Sequence, residues 1–170
     1  MWAKHKQQSG FTIVELLIVI VVIAILAAIS IVAYNGIQNR TYDSSIQNDL
    51  RQTYNKIQLY RVDNSGSNPP ATSNADVNSV FSVNRRSYAS GTNSLIYCYS
   101  DTNFAIVARS KSGNGYYYSS VSGANKFTTW PGDGNLDLCP AAGIVQASAG
   151  YSARWIYVNG AWEPWFTPGA

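Results

Sequence analysis

The chain has 170 residues, and its charge is sparse: twelve basic and nine acidic residues give a formal net charge of +3. This length suits one membrane segment plus one domain of ordinary size. Two of the basic residues precede Phe11, so a chain starting there would carry ten basic and nine acidic residues, a net of +1. This balance excludes the basic surface typical of nucleic-acid-binding proteins, and we expect no nucleic-acid partner.

The first ten residues, MWAKHKQQSG, form a short basic leader that ends in glycine. A secretory signal places its cleavage site after the apolar stretch, whereas here the Gly10–Phe11 junction lies before it. Lys4 and Lys6 have no acidic neighbour, and by the positive-inside rule they predict that this end stays in the cytoplasm. The chain after about Tyr34 is then expected on the outer side of the membrane.

An apolar run follows the leader, SGFTIVELLIVIVVIAILAAI at residues 9–29. Between residues 11 and 33 the only polar side chains are Thr12, Glu15 and Ser30. A run this long and apolar predicts a membrane-spanning helix. A carboxylate inside it costs roughly 2 to 4 kcal/mol. We therefore expect Glu15 to have a function and a compensating partner, which the lone membrane-bound chain lacks.

Helical patterning continues beyond the apolar run. Apolar residues recur at spacings of four, four and three, which is one face of an amphipathic helix: Ile46, Leu50, Tyr54 and Ile57. The residues between them form a polar opposite face: Gln47, Asn48, Asp49, Arg51, Gln52, Asn55 and Lys56. The pattern predicts one helix from about Phe11 to Arg61. Asn35-Gly36 is its weak point, because glycine costs about 1 kcal/mol in a helix interior.

A helix-breaking segment, called the breaker below, separates this helix from a region whose composition favours β-strands. Residues 64–74, NSGSNPPATSN, combine glycine, two prolines and clustered Ser and Asn, which predicts the end of the helix. The segments predicted as strands are rich in aromatic and β-branched residues: 94–100, 103–110, 115–121 and the two arms of 154–166. Asn159-Gly160, between those arms, is the favoured dipeptide of a type I′ turn. Residues 77–83 fit either a short helix or a strand.

These elements together predict an α+β fold, in which the amphipathic half of a long N-terminal helix packs on an antiparallel β-sheet. The predicted segments follow in chain order: a leader at 1–10, a membrane helix at 11–34, its amphipathic continuation at 35–62 and an antiparallel β domain at 63–170. Cys98 and Cys139, the only cysteines, both fall in the β domain. In an oxidising compartment they favour a disulfide worth roughly 3 to 4 kcal/mol. Two buried thiols that never meet are the alternative.

The leader and the apolar run resemble the N-terminus of the type IV pilin superfamily, which comprises type IV pilins, type II secretion pseudopilins and DNA-uptake pilins. The likeness rests on a basic leader ending in Gly10, followed by F-T-I-V-E-L-L-I-V-I. It implies a pilin-like fold and cleavage by a prepilin peptidase after Gly10, with N-methylation of Phe11. It also implies that Glu15 meets the N-terminal amine of a neighbouring subunit, where low dielectric strengthens the attraction.

One departure from the superfamily lies in the second half of the apolar run. Many members carry a helix-breaking proline there, whereas AAISIVAYNG at residues 27–36 has none. If the helix unwinds on assembly, we expect it to do so at Asn35-Gly36.

No catalytic site is predicted. The only histidine, His5, lies in the leader, which leaves none for a general base or a zinc site. Asp133, Asn135 and Asp137 alternate like the first ligands of a calcium loop, but the turn glycine and the closing glutamate are missing. We therefore expect a polar turn before Cys139, with no metal and no cofactor.

Two surface features are weaker candidates for binding. The aromatic tail could hold a glycan, although core or interface packing is the simpler interpretation: Trp155, Tyr157, Trp162, Trp165 and Phe166. Arg85-Arg86 is the only basic doublet, and two arginines give little affinity for DNA phosphates at physiological salt.

The predicted function is that of a structural subunit of a type IV pilus for adhesion or twitching motility. The resemblance implies a homo-oligomeric helical filament, a prepilin peptidase, and inner-membrane platform and ATPase machinery as partners. It also implies a single-pass membrane precursor that becomes an extracellular surface filament. A type II secretion pseudopilin and a DNA-uptake pilin are the alternatives within the superfamily. A monomeric membrane-anchored binding domain is the alternative outside it.

Overall fold

The computed structural model describes residues 10–70, 80–81, 83–89, 94–132, 135–145, 152–155, 157–158 and 161–162. The strands after residue 151 are described by their backbone alone. The chain divides into two compact units, residues 1–38 and residues 39–170.

Helix α1 runs from Ile13 to Asp63, which confirms the long N-terminal helix predicted from the sequence. The backbone stays helical through Asn35 and Gly36. The helix ends where the breaker segment begins. Ser65 takes a left-handed φ of 56°, and the Gly66 N–H donates to the Arg61 carbonyl at 2.7 Å. This 6→1 bond is that of a Schellman motif, which satisfies a terminal carbonyl that has no partner within the helix.

The second unit contains a five-stranded antiparallel sheet. Its strands are β1 (Leu95–Tyr99), β2 (Phe104–Arg109), β3 (Gly115–Ser119), β4 (Gly123–Lys126) and β5 (Ser152–Trp155). Their order across the sheet is β4-β3-β2-β1-β5, and every pair is antiparallel. Strands β6 (Tyr157–Val158) and β7 (Ala161–Trp162) form a separate hairpin. A 3-10 helix spans Arg85–Ser87, and a short helix α2 spans Asn135–Ala141.

The strands predicted at 94–100, 103–110 and 115–121 are confirmed as β1, β2 and β3. The first arm predicted in 154–166 is divided between β5, which pairs with β1, and β6 of the hairpin, and only 161–162 of the second arm is described. Three elements were not predicted, namely β4, the 3-10 helix and α2. Strand β4, with the sequence GANK, has no β-branched or aromatic residue and forms through its pairing with β3. The prediction of a polar turn before Cys139 is wrong, because residues 135–141 form helix α2. The predicted Asn159-Gly160 turn lies outside the described residues, although Val158 and Ala161 pair on either side of it. Most of 77–83 also lies outside them.

The main core lies between the predicted apolar face of α1 and one face of the sheet. Ile46, Leu50 and Ile57 are at most 3% exposed, and burying each contributes about 1.5 to 3 kcal/mol. The half-buried Tyr54 ring stacks on Tyr118 with centroids 4.2 Å apart. The sheet contributes alternate residues of β1, β2 and β3: Leu95, Tyr97, Phe104, Ile106, Ala108 and Tyr116. This packing confirms that the helix covers the sheet.

The opposite face of the sheet is buried as well. Ile96 and Val107 on this face pack with Leu138 and Ile144, which come from α2 and the residues that follow it. Strands β1 and β2 are therefore buried on both faces, which explains why their sequences are almost continuously apolar. Helix α2 covers this second face and positions Cys139.

Candidate functional site

The Gly10–Phe11 junction is open to solvent. The Phe11 side chain is 89% exposed, and among the described residues no heavy atom lies within 4 Å of a Cβ added to Gly10. Packing within the chain therefore does not require glycine at position 10. A requirement for glycine here would have to come from a protein that acts on the junction.

Thr12 and Glu15 form a capping box at the start of α1. The Thr12 N–H and hydroxyl donate to Glu15 Oε2 at 2.8 and 2.7 Å, and the Glu15 N–H donates to Thr12 Oγ1 at 3.2 Å. Each side chain thus satisfies a backbone N–H that the helix leaves without a partner. The expectation that the lone chain gives Glu15 no partner is wrong. The pattern T-x-x-E before an apolar run could have revealed this cap.

The first half of α1 is apolar on all sides. Its large apolar side chains between Phe11 and Ile37 are each 47% to 89% exposed. A window within α1 has a mean hydropathy of 3.4 and is not buried inside the chain, so the helix is long and apolar enough to cross a membrane. A helix that is apolar all round requires lipid or other apolar helices around it.

A known family motif matches the leader and the first part of α1. Residues 5–31 match the family model described as the prokaryotic N-terminal methylation motif. This motif is the hallmark of the prepilin-type signal of type IV pilins and pseudopilins, which confirms the resemblance stated above.

The motif supports a pilin-like or pseudopilin protein, and the family that it marks is of a structural type. It implies processing by a prepilin peptidase and pilus assembly, with membrane anchoring before the surface filament. Neither a curated protein nor a solved structure matches the chain.

The predicted disulfide between Cys98 and Cys139 is present. Cys98 lies on β1 and Cys139 on α2, their Cα atoms are 5.6 Å apart, and both side chains are fully buried. The bond joins α2 to the central part of the sheet on the face away from α1. It closes a loop between residues 41 positions apart, so it restricts the unfolded chain.

Asp43 connects helix α1 to the turn between β2 and β3. The Ser112 hydroxyl donates to Asp43 Oδ1, and Asn114 Nδ2 donates to Oδ2 at 2.8 Å. Partial desolvation raises the pKa of this carboxyl, but hydrogen bonds from Ser110, Ser112, Asn114 and Tyr116 outweigh it, and the pKa lies below its ordinary value. The ionised form of Asp43 therefore holds the turn against the helix.

Asp49 connects α1 to the segment that contains the 3-10 helix. Its Oδ2 accepts from the Asn84 N–H at 2.9 Å and from the Tyr88 hydroxyl at 3.1 Å. Desolvation raises the pKa of Asp49 although both hydrogen bonds lower it, and burial raises the pKa of Tyr88 well above its ordinary value. The prediction that Asp49 belongs to the solvent-exposed face is wrong, because its side chain is only 9% exposed.

The other predicted sites are not brought together. Asp137 is exposed and lies against Gly132, whereas Asp133 lies outside the described residues. Within the described ranges, no group of three or more His, Cys, Asp or Glu side chains could hold a metal. Arg85 and Arg86 lie in the 3-10 helix.

The aromatic tail is described only in its backbone. Tyr157 and Trp162 are direct partners in the β6–β7 hairpin, so they share one face of it. Trp165 and Phe166 lie outside the described residues.

Proposed function

We propose that this protein is a structural subunit of a type IV pilus, serving adhesion or twitching motility. A prepilin peptidase cuts the precursor between Gly10 and Phe11 and methylates the new N-terminus. The subunit then polymerises through the N-terminal half of α1, assisted by an inner-membrane platform and an assembly ATPase. Before assembly the leader end lies in the cytoplasm and the second unit lies outside.

The observation that carries the proposal is the position of the methylation motif on a helix that is apolar on every side. Residues 5–31 match the motif, and large apolar side chains from Phe11 to Ile37 are exposed all round the helix. A lipid bilayer covers such a helix before assembly. A stack of identical helices covers it equally well when the subunit leaves the membrane. The second unit, with its own core, then forms the filament surface.

Glu15 has a specific part in this assembly. In the lone chain its carboxylate accepts from Thr12, which reduces the cost of placing it in the membrane. Cleavage creates a positive amine at Phe11, and in the filament the amine of a neighbouring subunit approaches Glu15. Two opposite charges in a low dielectric attract much more strongly than a neutral hydroxyl attracts a carboxylate. Correct register is therefore favoured over other arrangements of these apolar helices.

The first test is mass spectrometry of filaments sheared from producing cells. We expect an abundant chain that starts at N-methylated Phe11. A processed chain confined to the membrane fraction would favour a secretion pseudopilin or a minor subunit. Salt-sensitive DNA binding that is lost on changing Arg85 and Arg86 would favour a DNA-uptake pilin. A chain that keeps residues 1–10 in cells with an active prepilin peptidase would contradict the proposal.

Substitutions at Glu15 separate its charge from its capping role. Glu15→Gln keeps an acceptor for Thr12 but removes the charge, and Glu15→Ala removes both. We expect both variants to stay in the membrane and to form few or no filaments. Ser30→Ala is the matched control, because Ser30 is also polar within the apolar helix and donates only to the Leu26 carbonyl among its described contacts. Normal filaments from Glu15→Ala would contradict the role proposed for Glu15. A parent chain that forms no filaments, with surface display and oligomeric state unchanged in Glu15→Ala, would favour the monomeric membrane-anchored domain.

A further inference from the structure

A groove in the second unit runs between α1 and the β3–β4 edge of the sheet. Its cavity volume is about 180 Å³, smaller than the clefts of about 300 to 1,000 Å³ that enclose drug-sized ligands, so it can hold only part of a ligand. Nine residues line it, among them Gln47, Leu50, Arg51, Tyr116, Ala124 and Lys126. A neighbouring hollow shares Gln47 and Arg51 and extends along α1 to Ser44 and Asn48.

Two cations border the groove, and no acidic side chain lines it. Arg51 projects from α1 and Lys126 from β4, and both are exposed. Lys126 Nζ lies 5.8 Å from the centroid of the Tyr116 ring, a cation–π contact that holds the ammonium above the floor. The Asp43 carboxylate, one turn before Gln47 on α1, does not line the groove, and it accepts hydrogen bonds from Ser112, Asn114 and the Tyr116 hydroxyl. The groove therefore attracts anions.

Polar groups of both kinds lie near these charges. Strand β4 is at the edge of the described sheet, and the Phe127 N–H donates to the Gly115 carbonyl at 3.0 Å. Because hydrogen-bonded and non-hydrogen-bonded pairs alternate, Ala124 and Lys126 direct their backbone N–H and C=O groups away from β3. Gln47 uses its amide nitrogen on the Asp43 carbonyl, which leaves its amide oxygen to accept.

We propose that this groove binds an acidic saccharide, a sugar that carries carboxylates among its hydroxyl groups. Arg51 and Lys126 pair with the carboxylates, and charge-assisted hydrogen bonds of this kind are among the stronger ones. The hydroxyls donate to the Gln47 amide oxygen and the edge carbonyls, and they accept from the edge N–H groups. The Tyr116 ring is only 7% exposed and lies beneath Lys126, so the aromatic surface open to the sugar ring is that of the half-buried Tyr118, which also lines the groove.

The groove fits other anions less well. An added peptide strand needs a longer edge than the two outward-facing residues of β4, and it needs pockets for alternate side chains. A nucleic acid needs several phosphate contacts for useful affinity at physiological salt, and the groove offers two cations. The groove lies in the second unit, so this inference does not depend on filament assembly, and a chain that forms no filaments would still bind.

The test is isothermal titration calorimetry on the full chain in detergent micelles, with trigalacturonate as the probe. Its methyl ester, which has the same hydroxyls without the charges, is the matched ligand. We expect Arg51→Gln and Lys126→Gln each to weaken trigalacturonate binding by about tenfold. Arg86→Gln is the matched control, because Arg86 is an exposed cation outside the groove. Raising the salt concentration should weaken binding further, because both cations are exposed.

Gln47→Ala provides an independent variant that keeps both charges. It should weaken trigalacturonate binding by a smaller factor than the loss of either cation does, because it removes one neutral acceptor. Equal affinity for the acid and its methyl ester would overturn the proposal, as would equal losses in Arg51→Gln and Arg86→Gln. If a glutamate tripeptide or single-stranded DNA bound the same residues more tightly than trigalacturonate does, the groove would be assigned to an acidic peptide or to a nucleic acid, and the saccharide proposal would be wrong. Absence of trigalacturonate binding in a folded chain would also overturn the saccharide proposal.

Discussion

Asp49 offers the sharpest test of how α1 holds the second unit together. Its carboxylate accepts from the buried Tyr88 hydroxyl at 3.1 Å and from the Asn84 N–H at 2.9 Å. In Asp49→Ala the Tyr88 hydroxyl stays buried without this acceptor, which costs about 1 to 3 kcal/mol, and the bond from Asn84 adds about 1 kcal/mol. We expect Asp49→Ala to lower the free energy of unfolding by about 2 to 4 kcal/mol.

A second substitution distinguishes this hydrogen bond from a general packing defect. Replacing Tyr88 by Phe in the Asp49→Ala background removes the hydroxyl that lost its acceptor, so the double variant should recover at least about 1 kcal/mol relative to Asp49→Ala. The measurement is urea unfolding of the oxidised full chain in micelles, followed by near-ultraviolet circular dichroism with equal m values. The reasoning is refuted if Asp49→Ala unfolds within about 0.5 kcal/mol of the parent chain.

The pH dependence gives the same site an independent signature. The pKa of Asp49 is raised in the folded chain, mainly by desolvation, so the folded state binds a proton more tightly than the unfolded state does. Its contribution to stability is therefore fully present below the ordinary value of 3.8 and is lost as pH rises through the folded pKa. Asp49→Asn keeps both hydrogen-bonding positions without the charge. We expect its stability relative to the parent chain to be greater at pH 7 than at pH 3.

Three further predictions concern the rest of the second unit. The pKa of Asp43 is lowered, so its contribution is present above the ordinary value of 3.8 and is lost as pH falls through the folded pKa. Asp43→Asn should cost about 1 kcal/mol at pH 7 and less at pH 3 in the same urea assay, and an equal cost at both would contradict this. In Gly115→Ala the new Cβ would lie 2.5 Å from Trp130 Cε3, so we expect a loss of about 1 to 3 kcal/mol, and an unchanged free energy of unfolding in the same urea assay would argue against the contact. Replacing Cys98 and Cys139 by alanine should cost about 2 to 5 kcal/mol in thermal unfolding, whereas an unchanged melting temperature would show that the bond is dispensable.

The main elements could be predicted because their physical causes are local. The spacing of Ile46, Leu50, Tyr54 and Ile57 identifies the face of α1 that meets the sheet, and these four side chains are buried or half-buried there. The breaker at residues 64–74 begins where the Schellman motif ends the helix. The strands of the β1–β2 hairpin are rich in β-branched and aromatic residues, as strands that pack on both faces must be.

The rest depends on contacts between distant residues. Strand β4 has no strand-like composition and exists through its pairing with β3. In the sequence Asp49 resembles an exposed helical carboxylate, because its partners Asn84 and Tyr88 lie 35 and 39 positions away along the chain. The Thr12–Glu15 cap is a local feature, because the two residues are three positions apart and the pattern T-x-x-E before an apolar run indicates it.

The bond between Cys98 and Cys139 has a consequence for proteolysis of the chain. A protease that cuts the backbone anywhere in residues 99–138 opens one peptide bond, but the two pieces stay joined through the sulfur atoms. That interval includes the turn after β2, strand β4 and the exposed residues up to α2. A nicked subunit would therefore keep its mass, most of its sheet and its attachment to α1. Under non-reducing conditions it would migrate on a gel as one chain, and only a reductant would release the fragments.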